Sequence, residues 1–126
     1  GGILFDLGSH LIDQALTLFG PATLEVAELR AVREGLGSED DAFISLLHDS
    51  GVRSHLTMSR VAAQSGPRFR VLGDASGYSV SGLDGQEPDL KVGRWPGSDG
   101  YGETPTADWG LLGIDNGEQP LVPVPT

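Results

Sequence analysis

The sequence predicts an α+β fold, in which one helix packs on one face of an open, predominantly antiparallel sheet. Two observations favour this class. Residues 2–19 carry apolar side chains at helical spacing. The rest of the chain contains short runs of alternating apolar and polar residues, separated by turn residues. Because short turns join antiparallel strands, we expect one sheet of about five or six strands.

The predicted helix ends before Gly20 and Pro21, which together form a common stop signal. At about 100° per residue, its apolar residues fall on one side. They are Leu4, Leu7, Leu11, Ile12, Ala15, Leu16, Leu18 and Phe19. Gly8 lies on the same side, where the lack of a side chain lets another part of the chain come close. We therefore expect this side of the helix to face the core.

The opposite side of the helix carries four polar residues at spacings of four, three and four: Asp6, His10, Asp13 and Thr17. This face has three interpretations. It could be a solvated surface, in which carboxylates merely flank an imidazole. It could bind a metal, although the chain has no Cys and places His48 and His55 elsewhere, so we expect no metal site. It could perform acid–base chemistry, with Asp6 orienting the ring and His10 moving a proton.

The clearest hairpin comprises residues 42–48 and 52–60, joined by Asp49-Ser50-Gly51. With a loop of three residues, one face is apolar and should meet the core: Ile44, Leu46, Leu56 and Met58. The other face is mixed: Phe43, Ser45, Leu47, Arg53, His55 and Thr57. A solvated sheet face seldom carries Phe43 and Leu47, so we expect this outer face to pack against something.

Further strands are expected at residues 24–32, with a bulge near Ala27, and in a second hairpin at residues 68–80. Residues 93–110 should form a long loop, and loops of this length are usually functional or disordered. Residues 122–126 should form an extended, Pro-rich tail without a closing element.

The long loop carries side chains that could meet a substrate. Arg94 and Trp95 could contact a bound molecule, whereas we expect the indole of Trp109 only to pin the loop to the sheet.

Composition excludes some functions. The net charge of −10, from 18 acidic and 8 basic residues, argues against nucleic acid as a partner. No apolar run approaches the ~20 residues of a membrane helix, so we expect no membrane partner. The absence of Cys suits a cytoplasmic protein. No glycine-rich phosphate loop follows a strand, so we expect no cofactor binding by this chain alone.

The first thirteen residues, GGILFDLGSHLID, resemble the signature helix of the C-terminal domain of the Gfo/Idh/MocA family of NAD(P)-dependent oxidoreductases. The pattern D-x-x-x-H-x-x-D is the most specific part. The resemblance implies that the family's catalytic Asp and His correspond to Asp6 and His10. It also implies a separate Rossmann domain that holds NAD or NADP, a sugar, polyol or related substrate, and packing of the outer sheet face on a second subunit.

On this interpretation, residues 1–126 are a single substrate-binding and dimerisation domain of a longer dehydrogenase, without its Rossmann domain and extreme C-terminus. The chain alone should be inactive. Asp6 and His10 are the catalytic candidates, and Asp13, Arg94 and Trp95 are candidates for substrate binding. The alternative is a non-catalytic dimerisation or ligand-binding module that shares the fold.

Overall fold

The computed structural model describes residues 1–35, 37–83 and 85–125. Three residues lie outside the described part of the chain: Leu36, Asp84 and Thr126. The chain divides into two compact units, Gly1–Gln64 and Ser65–Thr126. The assignment of residues 1–126 to a single domain stays a prediction. No helix in the described ranges is long and apolar enough to cross a lipid bilayer.

The first unit consists of a helix and a three-stranded antiparallel sheet. A π-helical turn, Leu4–Gly8, runs directly into α1, Ser9–Phe19. The strands are β1 (Ala22–Arg30), β2 (Asp41–His48) and β3 (Arg53–Ser59), paired in the order β1-β2-β3. Gly20 ends the helix as predicted, because its φ of 82° suits glycine and its amide donates to the carbonyl of Leu16.

The predicted hairpin and its register are confirmed. Ile44 lies opposite Leu56, and Phe43 lies opposite Thr57, as a three-residue loop requires. The core-facing side of the hairpin packs against the helix. The buried apolar residues of this shared core are Ile3, Ala15, Ala42, Ile44, Leu46 and Met58. The bulge in β1 is also present, between Leu24 and Val26, slightly before the predicted position.

The apolar side of the helix is only partly buried. Ala15 is buried and Leu11 packs against the core, but Leu7 and Leu18 are 44% and 58% exposed and Leu16 is also exposed. The prediction that these three leucines face the core of this unit is therefore wrong. The π turn contains an extra residue per turn, so a fixed step of about 100° does not carry through it.

Gly8 lies next to the sheet, on the core-facing side of the helix where the sequence places it. A Cβ atom at Gly8 would lie 2.8 Å from Cδ1 of Leu4 and 3.0 Å from Sδ of Met58. The predicted close approach at Gly8 is confirmed, because a side chain there would require Leu4 and Met58 to shift. The helix thus sits near β3, with Asp6 and His10 on its solvent-exposed side.

The second unit is a four-stranded antiparallel sheet with one short helix. Its elements are β4 (Phe69–Leu72), β5 (Gly77–Val80), α2 (Gln86–Lys91), a 3₁₀ turn (Thr106–Asp108), β6 (Gly110–Gly113) and β7 (Val122–Val124). The second predicted hairpin is confirmed as β4 and β5. In the loop before β6, Trp109 Nε1 donates to the carbonyl of Thr104 at 2.8 Å, so this indole links two positions of the same loop.

The α+β class with antiparallel pairing is confirmed, but the arrangement differs from the prediction in two ways. The described strands form two sheets, of three and four strands, instead of one sheet of five or six. The predicted tail is not free, since β7 pairs with β6 along residues 110–112. Pro123 lowers the strand propensity of this segment, but β7 is at an edge, where proline is tolerated.

Candidate functional site

The candidate site lies where the π turn meets α1. Asp6 belongs to the π turn and His10 to the first turn of α1. The amide of Asp6 donates to the carbonyl of Gly2 at 3.2 Å, so the backbone is already helical at this point. Single π turns inside α-helices are frequent at functional sites. The structure therefore combines the predicted acidic and imidazole side chains with a local irregularity that sequence spacing did not reveal.

Asp6 forms an ion pair that the sequence analysis missed. Its Oδ2 accepts a hydrogen bond from Nη2 of Arg60, the residue that follows β3. The two side chains are 59% and 45% exposed, so the pair is in contact with solvent. No local sequence signal joins two residues that are 54 positions apart. The only hint is a basic residue at the end of a strand that was expected to pack on the helix.

His10 and Asp13 are exposed on the same helix. Among the described residues, no hydrogen bond joins the imidazole of His10 to Asp6 or Asp13. The predicted orientation of His10 by Asp6 is thus not formed in this state, in which Asp6 contacts Arg60 instead. In the described part of the chain, no group of three or more His, Cys, Asp or Glu side chains is placed to hold a metal ion.

His48 has a structural environment. It is buried, and its Nδ1 donates to the carbonyl of Gly20 at 2.7 Å, while its Nε2 lies 2.8 Å from Oγ of Ser54. Its ring also meets the ring of Phe19 in an edge-to-face contact with centroids 5.6 Å apart. These contacts fasten the end of α1 to β2 and β3. His48 therefore helps to fix the helix that carries the candidate site.

Asp40 fastens the loop that follows β1. Its side chain is fully buried and accepts hydrogen bonds from the amide of Val32 at 2.7 Å and from Nε of Arg33 at 2.9 Å. The bond from the Val32 amide, followed by that from the Arg33 guanidinium, lowers the pKa of Asp40 from 3.8 to about 2. The carbonyl of Asp40 also accepts the amide of Arg60 at 2.9 Å, which places Arg60 at the edge of the site.

Arg94 and Trp95 lie in the second unit, in the loop that follows α2. Nη1 of Arg94 is 3.4 Å from Oδ1 of Asp89, and Oδ2 of Asp89 accepts the amide of Gly102 at 2.7 Å. Trp95 is 70% exposed. Arg94 therefore takes part in holding its own loop, and the indole of Trp95 is free of the core. A role in substrate binding stays a prediction for both residues.

Comparison with known proteins identifies the family to which this chain belongs. Residues 1–79 match the model of the GFO/IDH/MocA C-terminal domain. The chain is 37% identical over 112 residues to a scyllo-inositol 2-dehydrogenase (NADP⁺) of Bacillus subtilis, covering 88% of this chain and 31% of that protein. It is 39% identical over 90 residues to a D-apiose dehydrogenase of Paraburkholderia graminis, covering 71% of this chain and 22% of that protein.

Solved structures agree with these sequence relatives. The crystal structure of an oxidoreductase from Bacteroides fragilis matches with a TM-score of 0.86 and 38% identity, over 99% of this chain and 38% of that one. All of these relatives are oxidoreductases. The chain belongs to the Gfo/Idh/MocA family, which confirms the resemblance seen in residues 1–13. It spans less than a third of the length of these two curated relatives.

Proposed function

We propose that this chain is the substrate-binding and proton-transferring part of an NAD(P)-dependent dehydrogenase that acts on a sugar, polyol or related hydroxy compound. The observation that carries the proposal is the exposed helix face with Asp6 and His10, in a chain of this oxidoreductase family. The named substrates of two relatives, scyllo-inositol and D-apiose, are both polyhydroxylated, which supports the substrate class.

The pyrophosphate of a dinucleotide cofactor is usually bound by a glycine-rich loop between a strand and a helix. The sequence of this chain has no such glycine pattern. We therefore assign cofactor binding to parts of the full-length protein outside this chain.

The residues of this chain are suited to accept a proton from a substrate hydroxyl group. Oxidation of an alcohol removes a proton from the hydroxyl group, and a neutral imidazole near that oxygen can accept it. His10 is exposed and free of other hydrogen bonds in the described structure, so its ring can reach a bound hydroxyl. Asp6 supplies a carboxylate one turn away, which can accept a hydrogen bond from the substrate or from the imidazolium. Asp13 lies on the same face and is the next candidate for substrate contact.

The proposal is tested with the purified full-length protein and a panel of inositols, aldoses and simple secondary alcohols. With NAD⁺ and NADP⁺ supplied in turn, we expect reduced nicotinamide to form with at least one polyhydroxylated compound and much more slowly with simple alcohols. Calorimetry should show independently that a cofactor binds. Cofactor binding without turnover across the panel would favour the alternative, a non-catalytic dimerisation or ligand-binding module.

We also propose that the chain forms a homo-oligomer through the outer face of the first sheet. This face carries Phe43, which is half-buried against the ring of His55, and the exposed side chains of Leu47 and Val26. A hydrogen-bonded pair, Arg53 and Glu25, adds charge beside them. An apolar patch with a polar neighbour is the composition expected of an interface, and a two-fold axis is the simplest way to cover it.

Sedimentation of the full-length protein tests this interface. We expect a dimer at micromolar concentration, and Leu47→Glu should weaken the association by about tenfold or more, because it places a charge in an apolar contact. Leu83→Glu is the matched control, since Leu83 is an exposed leucine of the second unit. A wild-type monomer well above micromolar concentration would contradict the proposal.

A further inference from the structure

Arg60 is held in place by its backbone as well as by its side chain. Its amide donates to the carbonyl of Asp40 at 2.9 Å. The amide of Ile3, just before the π turn, donates to the carbonyl of Glu39 at 3.0 Å. The consecutive residues Glu39 and Asp40 therefore bind the start of the helix and the end of β3 to one short segment. We call these two residues, with the backbone of Ile3 and Arg60 that they bind, the frame. The distance between Asp6 and Arg60 is set by this frame.

Hydrogen bonds to a buried carboxylate order the centre of this frame. Asp40 is fully buried, with its carboxylate bonded to the amides of Val32 and Arg33. Gly2 is also buried, and the carboxylate of Glu39 lies so close to it that a Cβ atom there would be 1.9 Å from Oε1. Ordinary surface ion pairs are weak because two flexible side chains must be ordered to form them. Here the backbone at each end is already ordered by other bonds.

We propose that Arg60 is a positioning residue for the proposed reaction, holding the carboxylate of Asp6 in place beside His10 and offsetting its negative charge. The proposal rests on the proposed function, because it requires that Asp6 and His10 act on a substrate. Arg60 engages only Oδ2 of Asp6 in the described structure, which leaves Oδ1 for a substrate hydroxyl or for the imidazolium.

The test uses two substitutions in the full-length enzyme, with kcat and KM measured across pH. Arg60→Met removes the charge and keeps an unbranched side chain, whereas Arg60→Lys keeps the charge and loses the planar donor geometry. For Arg60→Met we expect kcat to fall by about 10-fold to 100-fold, as for other groups that position a reacting residue. We also expect KM to change less than kcat, because Arg60 contacts Asp6 and acts through it. Arg60→Lys should lower kcat by a smaller factor than Arg60→Met.

The matched control is Arg30→Met. Arg30 also forms an exposed ion pair at the end of a strand, with Asp41, but does not contact Asp6. A kcat and KM for Arg60→Met equal to those of Arg30→Met, in an enzyme that His10→Asn inactivates, would overturn the role of Arg60 alone. Unchanged turnover in His10→Asn would overturn the proposed function and this inference together. If Arg60→Met does not fold, Arg60→Lys decides, and a wild-type kcat in that variant overturns the proposal.

Discussion

Replacing His10 with asparagine in the full-length protein is expected to lower kcat by about 10² to 10⁴, the usual contribution of a positioned general acid or base. Asparagine keeps a polar side chain of similar size but cannot accept the hydroxyl proton. His10 is exposed and makes no hydrogen bond to Asp6 or Asp13 in the described structure, so its loss removes no stabilising contact. We therefore expect the melting temperature and the affinity for the cofactor to stay close to those of the wild type.

Steady-state kinetics with the preferred substrate, together with calorimetry of cofactor binding, check this result. Thr17→Ala is the control, since Thr17 is exposed on the same helix but two turns further on. Asp6→Asn should also lower turnover, because it removes the carboxylate beside His10 and its ion pair with Arg60. Wild-type turnover of His10→Asn at every pH would show that the polar face of the helix is only a solvated surface.

The hairpin was predictable because its signals are local. Asp49-Ser50-Gly51 forms the turn, and strict alternation on both sides fixes the register that pairs Ile44 with Leu56. The bulge was found less accurately, because a break in alternation shows that a residue has been inserted without showing where. The helix end at Gly20 was equally local, since a glycine with positive φ stops a helix by itself.

The errors have a different origin. Leu7 and Leu18 are exposed because the π turn changes the helical phase and because a wide apolar arc does not show which part the core will touch. The pairing of β7 depends on a partner strand that lies ten residues earlier in the chain, which its own proline-rich sequence does not indicate. Both errors arise where tertiary context decides between local alternatives.

The candidate site was predictable only in part for the same reason. Asp6 and His10 are four residues apart on one helix, so the sequence suffices to place both on its exposed side. Arg60 reaches Asp6 only because Glu39 and Asp40 bind the start of the helix and the end of β3 to one segment. Such a connection depends on where three segments of the chain lie in the folded structure. None of these segments has a sequence pattern that predicts it.

Asp40 is the residue on which this connection depends, and Asp40→Asn is expected to lower the melting temperature by roughly 5 °C or more. The carboxylate is fully buried and accepts bonds from the amides of Val32 and Arg33 and from Nε of Arg33. An asparagine side chain has one acceptor oxygen and places an NH₂ group against some of these donors. Asp41→Asn is the comparison variant, because the carboxylate of Asp41 is 20% exposed and bonds to the exposed guanidinium of Arg30 and to Ser59, so we expect a smaller decrease in melting temperature.

The pH dependence of the melting temperature of Asp40→Asn, compared with that of the wild type, gives a second expectation. The pKa of Asp40 is lowered from 3.8 to about 2 in the folded state, by the Val32 amide and then by the Arg33 side chain. A group with a lowered folded pKa stabilises the fold fully above its unfolded pKa and loses that contribution as the pH falls through the folded value. The difference in melting temperature between the wild type and Asp40→Asn should therefore be constant above about pH 5 and should shrink between about pH 4 and pH 2. Thermal unfolding across this range measures it, and a difference that stays constant down to pH 2 would show that the charge of Asp40 does not stabilise the fold.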